Sequence, residues 1–159
     1  MFWGAIRYGV LSDLALCHGD PDSKRGGVTA RVYRDLLEEE LLRLMEPDII
    51  FMQDNAPIHT SRLLRAFLRE EGYQVLEWPP YSPDLNPIEN LWHLLKERIV
   101  DLHPELADLP KSDQSLDRLC DVAVEVWLDI GIDLVNTLID SMPARVQAVR
   151  EAKGWYTKY

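Results

Sequence analysis

Cysteine is scarce in these 159 residues: Cys17 and Cys120 are the only two, far apart and with no CxxC pair. That scarcity argues against a disulfide frame or a cysteine zinc site, and predicts thiols packed in the core in a reducing, intracellular compartment. No uninterrupted apolar run approaches the roughly 20 residues a membrane helix needs, so no membrane partner is expected. The opening MFWGAIRYGV lacks the basic and long apolar regions of a signal peptide. Basic residues are also few, 17 against 27 acidic, for a formal net charge of −10. This balance opposes a broad basic surface tracking a phosphate backbone. Nucleic acid would have to be held by a local basic patch or by another part of a longer protein. There is no internal repeat and no low-complexity segment. With 47% hydrophobic and 28% charged residues, the chain has the composition of an ordinary globular domain.

What is present reads as an α/β pattern. Phe2–Ile6 and Leu14–Cys17 are short apolar runs close enough to pair as a hairpin, and residues 18–27 form a polar loop. From Thr29, an N-cap residue, Val32, Tyr33, Leu36, Leu37, Leu41 and Leu44 recur at helical spacing. Glu38, Glu39 and Glu40 lie mostly off that stripe, on a solvated face. Asp48–Met52 reads as a buried strand. Thr60 or Ser61 caps a second helix that stops near Gly72, and Tyr73–Trp78 is another strand. A third helix begins at Pro87. Strand, helix, strand, helix in this order predicts parallel strands after an antiparallel start. Beyond the loop 103–113 the chain is helical, broken at Gly131 and restarting at Pro143, with Trp155 and Tyr156 expected to anchor the end.

Two carboxylates hold the chemical interest. Asp54 follows an apolar strand, the place where open α/β sheets put their ligand sites, although Asp-Asn-Ala-Pro is also ordinary turn composition. Glu89 opens the next helix, where Asn86, Pro87 and Glu89 also fit a capping box. The 34 intervening residues, 55–88, leave room for one helix and one strand, the unit needed to bring two such ends together. Spacing alone leaves both readings open.

QDNAPIHTS at 53–61 followed by WPPYSPDLNPIENLWHLLK at 78–96 resembles the catalytic (DDE) domain of mariner-type DNA transposases. Both motifs, their order and their gap match that family's second and third catalytic acids, and WGAI at 3–6 resembles the strand after its first. The resemblance covers nearly the whole chain and is looser from residue 100 to the closing KGWYTKY. It implies a ribonuclease-H-like mixed sheet flanked by helices, with the first strand missing and a C-terminal helical extension. Residues 1–100 would be the endonuclease core and 101–159 the extension packed on the same domain. It further implies Asp54 and Glu89 as ligands of Mg2+ or Mn2+ in a two-metal site, DNA as partner, and the nucleus of a eukaryotic host as location. A homo-oligomer stays open.

The family's first Asp lies upstream of the WGAI strand, and the chain starts two residues before that motif, as it also starts after the family's helix-turn-helix region. The expectation is a fragment of a transposase, inactive alone. Asp13, Asp20 and Asp22 fall in connections and are not expected to substitute. Asn55 either orients Asp54 or only makes the turn. His59 precedes a helix near the site, and His93 shares a helix face with Glu89, as a metal partner or a surface residue. Trp78-Pro79-Pro80-Tyr81 stiffens the approach or touches DNA. The alternative function is a retained fragment acting as an interaction module, for which the acidic balance favours a protein partner.

Overall fold

The two apolar runs near the start pair only at their outer ends, and the end of the first run instead forms a second short ladder with the intervening Val10–Leu11. In the computed structural model, which describes residues 1–24 and 26–159, β1 (Phe2–Trp3) pairs with β4 (Ala15–Leu16), and β2 (Ile6–Arg7) with β3 (Val10–Leu11). β2 and β3 are antiparallel, Ile6 opposite Leu11 and Arg7 opposite Val10. Gly9 turns the chain between them at φ +76, a conformation glycine adopts without a Cβ penalty. A third pair, β5 (Ile50–Phe51) with β6 (Gln74–Val75), is parallel as expected. Contacts group the chain into two units, Met1–Phe2 with Leu16–Tyr81, and Trp3–Ala15 with Ser82–Tyr159.

The first unit is built on two helices. Thr29 caps α1 (Ala30–Leu44), its hydroxyl accepting the Val32 N–H, and Tyr33, Leu37 and Leu41 form a buried stripe at i, i+4, i+8. Ser61, not Thr60, caps α2 (Arg62–Glu70), accepting the Leu64 N–H at 3.2 Å. At its other end Gly72, at φ +77, and Tyr73 donate back to the Arg69 and Leu68 carbonyls, the Schellman closure that the Glu-Gly-Tyr sequence permits. α1 packs on α2, which buries Leu64, Phe67 and Leu68 and touches β6. The β5–β6 pair is not the buried core its apolar run predicts, because each strand pairs on one side only over two residues; Ile50 is 53% and Val75 42% exposed. Cys17 is buried and Cys120 half-buried, and burial pushes both thiols up from their ordinary range.

In the second unit four helices follow: α3 (Ile88–Leu102), α4 (Asp113–Leu128), α5 (Ile132–Asp140) and α6 (Met142–Glu151). α3 packs on α4, α5 on β2, β3 and α6, and α6 on the 3₁₀ turn Pro83–Leu85. Trp127 of α4 is fully buried and stacks on Trp92 of α3 with centroids 4.9 Å apart. Its indole N–H donates to the Ser12 carbonyl at 2.7 Å. The Ser12 hydroxyl in turn accepts the Ala5 N–H at 2.8 Å. Asn136 of α5 takes the Gly9 N–H at 2.7 Å. Trp155 and Tyr156 do not anchor the end. They are 73% and 81% exposed and lie edge to face on each other, and it is Tyr159 that reaches Arg145.

This packing explains the glycine of WGAI. A Cβ on Gly4 would sit 2.8 Å from Trp127 Cζ2 and 3.2 Å from Trp92 Cη2, against rings that are stacked and cannot swing away. Gly4→Ala is therefore expected to destabilise the chain by about 1–3 kcal/mol, the cost of overpacking, measured as a lower urea midpoint. An unchanged midpoint would mean the tryptophan pair is looser than drawn.

Candidate functional site

At the carboxyl end of β5 the chain leaves the ladder and folds back on Asp54. Oδ1 accepts the Ala56 N–H at 3.0 Å, the Asx turn that Asp-Asn-Ala-Pro predicts. It also accepts from His59 Nδ1 at 2.6 Å, since an ionised carboxylate has no proton to give. The His59 and Thr60 N–H groups both donate to the Ala56 carbonyl, which curls the segment so that the imidazole returns to Asp54. That ring packs 4.5 Å from the Tyr33 ring, and the Tyr33 hydroxyl donates to Gln53 Oε1 at 3.2 Å. Asn55 Nδ2 donates to the Trp78 carbonyl at 2.7 Å, tying this turn to the segment after β6. The Asp54 side chain remains 55% exposed, His59 only 18%. Asp54 thus makes its turn and displays its carboxylate at once, with both hydrogen bonds on Oδ1 and Oδ2 taking none among the described residues.

Glu89 sits in the first turn of α3. The expected capping box does not form there. The Asn86 N–H is already used, closing the 3₁₀ turn on the Pro83 carbonyl at 2.9 Å, so it cannot meet the Glu89 carboxylate. Pro87 occupies the cap position with no side-chain bond, and the Asn86 amide Nδ2 instead lies 3.5 Å from Glu89 Oε1. Leu85 and Asn86 are buried, 9% and 7% exposed. What fixes this stretch is a residue the sequence gives no signal for. Arg145 of α6, 2% exposed, donates from Nη1 to the Asp84 carbonyl at 2.9 Å and from Nη2 to Asn90 Oδ1 at 2.7 Å. Its Nε donates to the Ser141 hydroxyl one turn earlier at 2.8 Å, and its guanidinium lies 4.8 Å from the Tyr159 ring.

The remaining candidates separate. His93 is 72% exposed and lies 3.3 Å from Glu97 one turn on, a surface contact. Tyr81 is 99% exposed and holds φ +54. Among the described residues no three His, Cys, Asp or Glu side chains gather as a metal cage. Asp20 is committed elsewhere: it is 4% exposed and accepts from the Thr29 hydroxyl and Arg31 Nη2, both at 2.6 Å, and from the Asp22 N–H at 3.0 Å. Arg31 also pairs with Asp22 at 2.8 Å. This cluster folds the polar loop onto the start of α1.

The strand pairs and helices are those of a mixed α/β fold. A family model described as DDE superfamily endonuclease matches residues 23–110, more than half of the chain, and the chain belongs to that family. It is 38% identical over 132 residues to the Tcb2 transposable-element transposase of Caenorhabditis briggsae, covering 80% of this chain and 45% of that protein. The chain thus spans under half the length of such relatives. Its fold is similar to that of Mos1 transposase in a paired-end complex with the left transposon end, with TM-score 0.64 and 25% identity over 86% of this chain and 39% of that one. The Mos1 catalytic domain solved with raltegravir and Mn gives TM-score 0.61 and 25% identity over 91% and 75%, as does the same domain with Mg. The mariner-type resemblance and the ribonuclease-H-like expectation are both borne out.

The Asp20 cluster makes stability depend on acid in a defined window. The Thr29 hydroxyl first, then Arg31, hold the Asp20 carboxyl down at about 2, against an ordinary value of about 3.9. A depressed folded value stabilises above the unfolded one, so this contribution is whole above about pH 4 and is lost as pH falls through about 2. The stability difference between the parent chain and Asp20→Asn, from urea unfolding, should shrink steadily between those limits. A difference that does not vary with pH would remove Asp20 from the linkage.

Proposed function

We propose that this chain is a transposase catalytic region acting on DNA phosphodiesters with divalent metal, and that Asp54 and Glu89 are the metal ligands. The observation that carries this is the Asp54 turn. A carboxylate at a strand end is held by two bonds on one oxygen while its side chain stays 55% exposed, inside the segment matched by the endonuclease family. The donors suit the ion, since Mg2+ or Mn2+ takes hard carboxylate oxygens and keeps several waters. A pair of such ions supplies an activated water and charge relief at the leaving oxygen of an in-line displacement. The chain's own part is to present the ligands. His59 and the Ala56 N–H fix the Asp54 oxygen, Asn55 fixes the turn to Trp78, and the first turn of α3 fixes Glu89.

The family resemblance calls for a third acid, and Asp20, the most structured of the other candidates, is tied to Thr29 and Arg31. Residues 1–159 by themselves are therefore expected to bind metal weakly and to leave DNA uncut until a third carboxylate is supplied. A second reading, an interaction module without catalysis, is favoured by the net charge of −10, which opposes an unaided hold on DNA.

Metal binding separates the two. Manganese titration followed by electron paramagnetic resonance should show saturable binding by the parent chain, lowered at least about tenfold by Asp54→Ala and by Glu89→Ala. His93→Ala should bind as the parent does. If both acid variants match the parent, the catalytic reading falls and the interaction module stands.

A further inference from the structure

We infer that Arg145 is a positioning residue for Glu89, a clamp that sets where the α3 carboxylate points; the inference rests on the reading of Glu89 as a ligand. One planar guanidinium bonds both flanks of that residue. Nη1 holds the Asp84 carbonyl, five positions before it, and Nη2 holds the Asn90 side chain, one position after. A guanidinium presents its donors in a fixed fork, so fixing one flank relative to the plane fixes the other. The plane itself cannot turn, because Nε is spent on Ser141 and the Tyr159 ring lies 4.8 Å away. All three acceptors are neutral, so the bonds are placed by geometry and not by an ion pair. α6 packs on the Pro83–Leu85 turn, so the clamp joins a helix to the loop that delivers Glu89. The first turn of α3 has no side-chain cap, and the Asn86 amide lies 3.5 Å from Glu89 Oε1.

Asn90 is exposed, which gives a mild way to open the clamp. Asn90→Ala removes the Nη2 acceptor, Asn90→Asp restores one, and Arg145→Lys keeps the charge but loses the fork. Two readouts are taken on the 159-residue chain: hydrogen exchange of the peptide spanning 82–92, with 30–44 as internal control, and manganese affinity. Asn90→Ala and Arg145→Lys should speed exchange in 82–92 several-fold, leave 30–44 unchanged and weaken manganese about tenfold, the usual cost of losing a residue that orients a ligand. Asn90→Asp should recover both. Equal exchange in 82–92 for the parent and both disruptive variants overturns the clamp. So does manganese affinity that survives Asn90→Ala while Glu89→Ala abolishes it. If Glu89→Ala binds as the parent does, the ligand reading fails instead, and the exchange data alone then decide the clamp.

Discussion

Strands of two residues carry too few ladder bonds to aim a side chain, and this constraint governs the chain. β5 and β6 are each two residues long, with the Leu76 N–H adding one more bond to the Phe51 carbonyl. Whatever such a strand presents at its end must be held by bonds from outside the ladder. At Asp54 these come from the next five residues and from Asn55 reaching across to Trp78. On either side of Glu89, Asp84 and Asn90 are bonded by Arg145 of a helix more than fifty positions later. Side-chain bonds to backbone carbonyls take over the work that register does in a longer sheet. Each hydrogen bond from a charged donor is worth about 1.5–3 kcal/mol, enough to hold one conformation where one or two ladder bonds are not.

The same economy shapes the electrostatics. With a net charge of −10, an exposed acid gains nothing from the chain's overall field and approaches DNA phosphate against repulsion. Repulsion between exposed charges fades beyond roughly 8 Å at physiological salt, so what matters is the charge within that reach of Asp54. Beside the Asp54 carboxylate lies the His59 imidazole, held there by its own loop and by the Tyr33 ring. Charge relief at a phosphodiester then has to come from bound cations and from basic residues within that reach, whereas Arg31 of α1 is already paired with Asp20 and Asp22 of the loop before it.

Much of this was legible because its causes are local. Thr29 and Ser61 cap their helices through bonds to residues three positions on, Gly72 closes α2 through its own positive φ, and the Asp54 turn bonds two positions on. A window of five residues contains each of these. The capping box at Asn86 was misread for a reason just outside such a window: the preceding 3₁₀ turn had already consumed the N–H it needed. The buried reading of Asp48–Met52 failed because burial depends on what lies over a strand, which its own apolar run cannot state.

Arg145 marks the limit of such reading. Its neighbours on α6 carry only a weak apolar pattern, and arginine on a short surface helix ordinarily reads as solvated. Its partners Asp84 and Asn90 lie 61 and 55 positions away, and both are neutral at the contacting atom, so no complementary charge points back to it. A buried guanidinium is costly unless its donors are met, and here three bonds and an aromatic ring meet them in one place. Such a group is tolerated where its geometry is worth more than its desolvation costs. The place it occupies is the two flanks of the acid that opens α3.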